Sequence, residues 1–178
     1  MITIRPETSA DRTAVDEVVA LAFGRPDEAR LVQRLRQSEA FIPRLSLVAV
    51  AEGRVVGHIL FSRIMIESSE GAAPALALAP LAVRPEHQNQ GIGMRLVREG
   101  LKRCRELGHA IVVVLGHPSY YPRFGFSPAR ARGLEAPFAV RDEAFMVLEL
   151  VSGALDGISG TVKYPPPFDS APAPGGPS

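Results

Sequence analysis

The chain has 178 residues, enough for one domain with a sizeable core, and 46% hydrophobic with 22% charged residues is an ordinary globular composition. A net charge of +1 gives no general attraction to nucleic acid or to a membrane surface, so neither is expected as a partner. The single cysteine excludes an internal disulfide and a cysteine-based zinc site, and no metal is expected. Without a signal-peptide pattern at the start, we expect a cytoplasmic protein.

The N-terminal part of the chain predicts a short strand and two helices. Residues 2–5 alternate in polarity, and capping side chains at 8–11 precede apolar residues at helical spacing over 15–23. Glycine and proline then break the helix, and a second helix is predicted over 27–38. Pro43 is interpreted as marking a connection to the next element.

The next segments predict a hairpin and a third strand. Residues 45–51 and 54–67 are rich in Val, Ile and Leu, and Glu52-Gly53 between them is typical of a tight turn. A third apolar segment covers 75–83 and contains Pro80. Because proline has no N–H for a ladder bond, strand pairing should be interrupted at this point.

A strong helix pattern follows, and then a buried strand. Residues 91–107 carry one apolar stripe, with Arg and Lys facing away; the stripe consists of Ile92, Leu96, Val97, Leu101, Cys104 and Leu107. The fully apolar run 110–115 predicts a buried strand. A strand, a helix and a strand in this order indicate a parallel crossover.

The C-terminal part is predicted to contain two late strands and a tail. The strands are expected at 145–151 and 160–164. Since no internal repeat or second core is visible, we interpret 1–164 as a single domain and the Pro/Gly-rich 165–178 as a mobile tail.

The turn between the third strand and the strong helix, Gln88–Gly93, carries the first chemical signal. Glycines at 91 and 93 let the backbone approach a ligand closely, and the first-turn amides of the helix are unpaired. Such an end can hold a phosphate or pyrophosphate, although the same pattern also occurs in turns without a ligand. Gly93 is followed by Met94-Arg95, which does not match the nucleotide P-loop, and Leu96 does not match the dinucleotide fingerprint.

The surrounding motifs resemble a known family. Leu81-Ala82-Val83, then Gln88-x-x-Gly91-x-Gly93, a long helix and an apolar strand are similar to the acetyl-coenzyme A motif of the GNAT superfamily. The segment 120–126, Tyr-Tyr-Pro-Arg-Phe-Gly-Phe, matches the Tyr-x-x-x-Gly-Phe with which the family commonly ends this region. The resemblance looks closest to the YhbS-like branch of bacterial acetyltransferases.

The resemblance implies a fold and a cofactor site. The fold would be a mixed α/β fold, with a central, mostly antiparallel sheet, a splayed parallel strand pair and flanking helices. Acetyl-coenzyme A (acetyl-CoA) would be the acyl donor, its pantetheine pairing with the backbone of Leu81, Ala82 and Val83. The pyrophosphate would rest on amides of the following turn and helix start, formed by Gln88, Asn89, Gln90, Gly91, Ile92, Gly93 and Met94.

The same resemblance suggests a general acid. Tyr121 takes the position of the family's tyrosine acid, and a phenol is protonated at neutral pH and able to donate to the leaving thiolate. Tyr120 is the alternative. The segment departs from the family pattern, because Gly116–Ser119 replaces a helix in which an asparagine usually precedes the tyrosine.

The proton acceptor is less well determined. An alkyl ammonium with a pKa of about 10.4 must lose a proton before it attacks a thioester. Many family members carry a glutamate on the splayed strand, where this chain has Leu78-Ala79-Pro80. His117 is taken as the base, with His58, Glu67 and a water molecule as alternatives.

Two readings other than an N-acetyltransferase stay open. One is a non-catalytic sensor that binds acyl-CoA in the same fold, and the other is a phosphate-binding structural domain. The amine acceptor is not identified, although the first two helices and loops at 68–74 and 127–143 are expected to wall its site. Arg130, Arg132 and Arg141 suit an acidic acceptor, but arginines of a surface loop also serve only to solvate it. A homodimer is a further expectation from the resemblance.

Overall fold

One mixed sheet of nine strands forms the centre of the molecule, and the computed structural model describes residues 1–170 of the chain. The strands are β1 (Ile2–Pro6), β2 (Phe41–Ala51), β3 (Arg54–Ser68), β4 (Gly71–Val83), β5 (Ile111–Leu115), β6 (Ser127–Pro128), β7 (Leu134–Glu135), β8 (Phe145–Glu149) and β9 (Gly160–Lys163). The α-helices are α1 (Arg12–Phe23), α2 (Asp27–Arg36) and α3 (Ile92–Glu106).

The strand order combines a meander with one crossover. The order is β1-β2-β3-β4-β5-β8-β6, and β9 pairs with both β3 and β7. The β4–β5 and β7–β9 pairs are parallel and the other pairs are antiparallel. The predicted mixed, mostly antiparallel sheet is therefore confirmed, and α3 is the crossover between β4 and β5.

Helices cover both faces of the sheet. The apolar stripe of α3 packs on one face, where Gly100 leaves room for the ring of Phe61 from β3. Leu107, predicted as part of the stripe, is 36% exposed because α3 ends at the residue before it. Helices α1 and α2 cover the other face over β2 and β3 with the side chains of Val15, Val18, Val19, Leu31, Val32 and Leu35. A third apolar cluster continues that face across β5, β8 and β9.

Most helices and strands form at the positions that the sequence pattern predicts. The hairpin turn at Glu52-Gly53 has φ values of 50° and 76°, and the strong helix spans Ile92–Glu106 with a fully buried Cys104. The interpretation of Pro43 is wrong, because it lies inside β2. The register of β2 against β3 shifts between Phe41 and Ser46, and an irregular ladder tolerates a residue without an N–H.

Two predicted loops also differ from the structure, and one of them, 127–143, contains the short strands β6 and β7. Residues 68–74 form a hairpin rather than a loop, since β3 ends at Ser68 and β4 begins at Gly71. Beyond Tyr164, where a tail is predicted, Pro166–Ser170 forms a 3-10 helix, and Phe168 packs against the cluster under α1 and α2. Residues 171–178 of the predicted tail lie outside the described residues.

Candidate active site

Strands β4 and β5 separate halfway along β4. Among residues 1–170, they pair at Leu76–Leu78 with Val112–Val114, after which β5 ends while β4 continues to Val83. The last residues of β4 remain paired with β3 on their other side, at Gly57–Ile59. The segment Leu81–Val83 therefore presents one backbone edge that no strand of the described chain covers. Pro80 lies at the separation, where the sequence predicted interrupted pairing.

The turn after β4 is held in place by its own polar groups. Gln88 donates from Nε2 to the carbonyl oxygen of Val83 at 3.0 Å, which ties the turn to the end of the strand. Asn89 and Gly91 have φ values of 62° and 82°, the left-handed region that glycine and asparagine adopt most easily. Side chains of the described chain do not cap α3 here, so its first-turn amides point outward unpaired.

Tyr120 and Arg123 lie beside this helix end. A methyl group on Gly93 would be 3.1 Å from the hydroxyl oxygen of Tyr120, so the phenol reaches the first turn of α3. The Arg123 guanidinium lies 4.7 Å above the Tyr120 ring, donates to the Tyr120 carbonyl at 2.8 Å, and contacts Met94 Sδ at 3.7 Å. Sequence reasoning missed Arg123, whose position next to the Tyr-Tyr pair was the available signal.

Tyr121 has a different environment from its neighbour. Its ring is 4% exposed, covers Gly116 at the end of β5, and packs edge-on against Phe126 at 5.7 Å. Burial, with a smaller effect from Tyr120, raises the pKa of its hydroxyl. The structure thus brings Tyr121 to the carboxyl end of β5, next to the separation, as a phenol that stays protonated at neutral pH.

His117, the predicted base, is exposed on the bend after β5. Its Nδ1 accepts from the Ser119 amide at 3.4 Å and lies 2.8 Å from the Ser119 hydroxyl oxygen. A neutral imidazole that accepts at Nδ1 carries its hydrogen on Nε2. The lone pair that a base needs is therefore directed at Ser119.

The two alternative bases, Glu67 and His58, lie at different distances from the separation of β4 and β5. Glu67 lies opposite Ala72 near the start of β4, about 20 Å from the separation by strand rise, and its carboxylate is 4.0 Å from Lys163. His58 is fully buried next to the separated half of β4, opposite Ala82. Burial lowers the pKa of its imidazole to about 4, so the ring is neutral at physiological pH.

Five arginines near the site have partners within the protein. Arg95 donates to the carbonyl of Ile2 at 3.0 Å, and Arg98 lies over the ring of Phe124. The three arginines of segment 127–143 each pair with carboxylates, which weakens the case for an acidic acceptor there; these are Arg130 with Glu135 and Asp142, Arg132 with Glu149, and Arg141 with Glu143.

The described part of the chain has neither a cluster of metal-ligating side chains nor a helix able to span a membrane. Groups of three or more His, Cys, Asp or Glu side chains able to hold a metal ion are not found within residues 1–170. In the same residues, the helices are too short or too polar to cross a membrane.

Comparisons of the sequence with known proteins identify relatives. The Acetyltransferase (GNAT) domain family matches residues 3–129. The uncharacterized N-acetyltransferase YjhQ of Escherichia coli (strain K12) is 44% identical over 135 residues, covering 75% of each chain. The uncharacterized N-acetyltransferase YhbS of the same strain is 37% identical over 162 residues, covering 90% of this chain and 95% of its own.

Solved structures agree with the sequence relatives. YhbS from Escherichia coli in complex with CoA superposes with a TM-score of 0.87 at 34% identity, covering 94% of this chain and 91% of that chain. A GNAT family acetyltransferase from Brucella melitensis in complex with acetyl-CoA gives a TM-score of 0.78 at 32% identity, covering 95% and 99%. By sequence and fold together, the chain belongs to the GNAT family of acetyltransferases.

Proposed function

We propose that this chain transfers the acetyl group of acetyl-CoA to a primary amine of a small molecule, peptide or protein. The observation that carries the proposal is the uncovered backbone edge of Leu81–Val83, which leads directly to the uncapped first turn of α3. A long ligand fits both features when its amide-containing arm lies along the strand edge and its pyrophosphate lies at the start of α3. The CoA and acetyl-CoA complexes of the two relatives support this choice of donor.

The residues present fit coenzyme A along its length. Backbone groups of Leu81–Val83 would pair with pantetheine amides, as a neighbouring strand would. Outward amides from Gln88 to Met94, assisted by the helix dipole, would bind the pyrophosphate. Arg123 lies beside this turn and would add a positive charge.

Tyr121 is proposed as the general acid. When bound, acetyl-CoA supplies an activated thioester that the amine nitrogen attacks directly. The thiolate that leaves takes up a proton, and the Tyr121 hydroxyl, which is protonated at neutral pH, can donate one. Tyr120, whose hydroxyl reaches Gly93, is assigned to the phosphate end of the donor instead.

A water molecule is proposed as the immediate proton acceptor for the amine. His117 as the base stays a prediction that its geometry does not favour, because its lone pair is engaged by Ser119. The other two candidates do not reach the amine directly, since Glu67 is distant along β4 and His58 is buried.

The proposal predicts different outcomes for the two adjacent tyrosines. Tyr121→Phe should lower kcat for thiol release from acetyl-CoA by about a hundredfold, the usual scale for a lost general acid, with an unchanged CoA-induced shift in Tm. Tyr120→Phe is the matched control, which removes the neighbouring phenolic hydroxyl. It should raise the Kd for CoA by a larger factor than it lowers kcat. Rates would be measured over a panel of amines, with hydrolysis subtracted.

Three outcomes of this experiment would argue against parts of the proposal. Equal kcat for wild type and Tyr121→Phe excludes Tyr121 as the acid. If kcat falls in Tyr120→Phe and not in Tyr121→Phe, Tyr120 is the general acid and Tyr121 is not. A wild-type chain whose Tm does not rise with CoA contradicts the cofactor assignment, since ligand at about 100 times its Kd stabilises by about 2.7 kcal/mol.

One observation favours a second candidate, an acyl-CoA sensor without catalysis. Strand β4 (Gly71–Val83) carries no Asp or Glu at any position. A chain that binds CoA and acetylates none of the amines would support the sensor.

We further propose that the protein is cytoplasmic and that it forms a homodimer. Light scattering in solution would test the dimer.

A further inference from the structure

Arg84 is a buried arginine at the junction between β4 and the turn that would bind the pyrophosphate. It follows Val83, the last residue of β4, and is 3% exposed. Arginine is rarely buried unless the protein supplies partners for its donors and its charge. The reaction proposed above gives Arg84 no role, so its partners indicate what the buried guanidinium does.

The backbone of Arg84 connects β3 with the turn. Its amide donates to the carbonyl oxygen of Val56 in β3 at 2.8 Å, which continues the pairing of β4 with β3 by one residue. Its carbonyl oxygen accepts from the His87 amide at 2.8 Å, which closes the 3-10 turn Pro85–His87. Gln88 follows this turn directly. The direction of the outward amides of residues 88–94 therefore depends on how Arg84 is held.

The side chain of Arg84 attaches the junction to two further groups. Nε donates to the carbonyl oxygen of Val55 at 2.9 Å, so backbone and side chain bind neighbouring residues of β3. Nη1 donates to Oε1 of Glu17 on α1 at 3.1 Å. This hydrogen bond lowers the pKa of the Glu17 carboxyl, so the pair is ionised at neutral pH. A planar guanidinium, with donors in fixed directions, satisfies both acceptors at once.

The surface contacts of the turn are weaker than those of Arg84. The ion pair of Glu86 with Arg54 is 3.8 Å long, both side chains are more than half exposed, and such pairs contribute little. Gln90 donates to the Glu86 carbonyl at 3.5 Å, also on the surface. The bond from Arg84 to Val55 is buried, and a hydrogen bond from a charged donor is strong where water is excluded.

We propose that Arg84 is a positioning residue that fixes the pyrophosphate-binding amides of the turn, and that Glu17 fixes Arg84. This rests on the proposed binding of acetyl-CoA. Anion binding by backbone amides needs several N–H groups aimed at one point, and a shifted turn loses some of them. Arg84 acts through the turn, because its side chain is directed at Val55 and Glu17. Its loss should weaken binding of the pyrophosphate and spare the pantetheine arm, which would pair with Leu81–Val83.

Matched lysine substitutions at two buried arginine side chains test this role. Arg84→Lys keeps the charge but cannot make both side-chain bonds, so the Kd for CoA should rise about tenfold. The KM for acetyl-CoA should rise by a similar factor, with kcat at saturating donor close to the wild-type value. Arg36→Lys is the control, since the Arg36 side chain is 6% exposed and binds Glu7 and Asp16 rather than the turn. It should lower the Tm and keep the wild-type Kd.

A donor without a pyrophosphate separates positioning from general damage to the site. Acetyl-pantetheine has the thioester and the pantetheine arm of acetyl-CoA but carries no phosphate group. Arg84→Lys should lower kcat/KM for acetyl-CoA about tenfold and leave kcat/KM for acetyl-pantetheine at the wild-type value. A general loosening of the site would lower both values.

Two Glu17 variants test the same contact from the exposed side, even if Arg84→Lys does not fold. The Glu17 side chain is 55% exposed, so both variants should fold. Glu17→Gln and Glu17→Ala remove the same charge, but only the glutamine keeps an oxygen that accepts from Arg84. The Kd for CoA should be about threefold higher in Glu17→Ala than in Glu17→Gln. Equal Kd values in the two variants contradict the role of Glu17.

The inference and the proposed function fail on different measurements. A wild-type Kd for CoA in Arg84→Lys overturns the positioning role, and so does an equal loss of CoA affinity in Arg84→Lys and Arg36→Lys. Equal losses with acetyl-CoA and acetyl-pantetheine show that Arg84 does not act through the pyrophosphate. If the wild type binds CoA but acetylates no amine, the proposed reaction fails and the Kd values still decide the role of Arg84. If the wild type does not bind CoA, both fail.

Discussion

At the scale of one residue, the carboxylate of Asp11 contributes more to folding stability than an exposed surface charge does. Its oxygens accept from Arg5 at 2.7 and 3.1 Å and from the Thr8 amide at 2.7 Å, and Arg5 above all lowers the pKa of Asp11 to about 2. The folded-state pKa lies below the unfolded value of 3.8, so this stabilisation is present above pH 4 and is lost as the pH falls to 2.

Asp11→Asn should lower the free energy of unfolding at pH 7 by about 1–2 kcal/mol, the range for hydrogen bonds to charged groups, reduced because Arg5 is partly exposed. Urea unfolding at a series of pH values measures it. The difference between wild type and variant should shrink from pH 4 to pH 2. Asp27→Asn, whose ion pairs are 3.9 Å long, is the control, and an equal loss in both variants would contradict the assignment.

Among the elements, the fit of α3 against β3 depends on one missing side chain. A methyl group on Gly100 would collide with the Phe61 ring. Alanine would gain about 1 kcal/mol in helix propensity, but overpacking a core costs about 1–3 kcal/mol. Gly100→Ala should therefore lower the free energy of unfolding by about 1 kcal/mol in denaturant titrations. Lys102→Ala, on the exposed face of α3, should change it little, and a stabilised Gly100→Ala would show that Phe61 moves at no cost.

Elements governed by local chemistry could be predicted from sequence, and those governed by distant contacts could not. Gly91 and Pro80 act through their own backbone, so the turn and the interrupted pairing were predictable. The orientations of Tyr120 and Tyr121 depend on packing against Gly93 and Gly116, which no spacing along the chain reveals. The wrong interpretation of Pro43 has the same origin, because Pro43 is accommodated where β2 makes more steps than β3 between two paired positions, and spacing along the chain does not reveal that pairing.

For the whole molecule, acid sensitivity should depend on His58. Burial lowers its folded-state pKa to about 4, below the unfolded value of 6.5, with smaller effects from Glu7, Arg36 and Asp16. Below pH 6.5 the unfolded chain binds a proton that the folded chain does not, so stability is complete above pH 6.5 and falls towards pH 4. His58→Asn should flatten the dependence of Tm on pH between 6.5 and 4. His117→Asn, at an exposed position, is the control and should keep the pH dependence of the wild type. If Tm depends on pH in His58→Asn as it does in the wild type, His58 is not the source of the acid sensitivity.

Strand β9 has a consequence for how the protein is made. It pairs with Met65–Glu67 of β3, beyond the point where β2 begins opposite Ser62, although more than half of the chain separates β9 from this part of β3. A nascent chain leaving the ribosome therefore exposes this edge of β3 until residues 160–163 have emerged, and unpaired strand edges recruit other chains. Synthesis that stops before Gly160 should yield aggregates, and chaperones that shield strands should bind the late nascent chain.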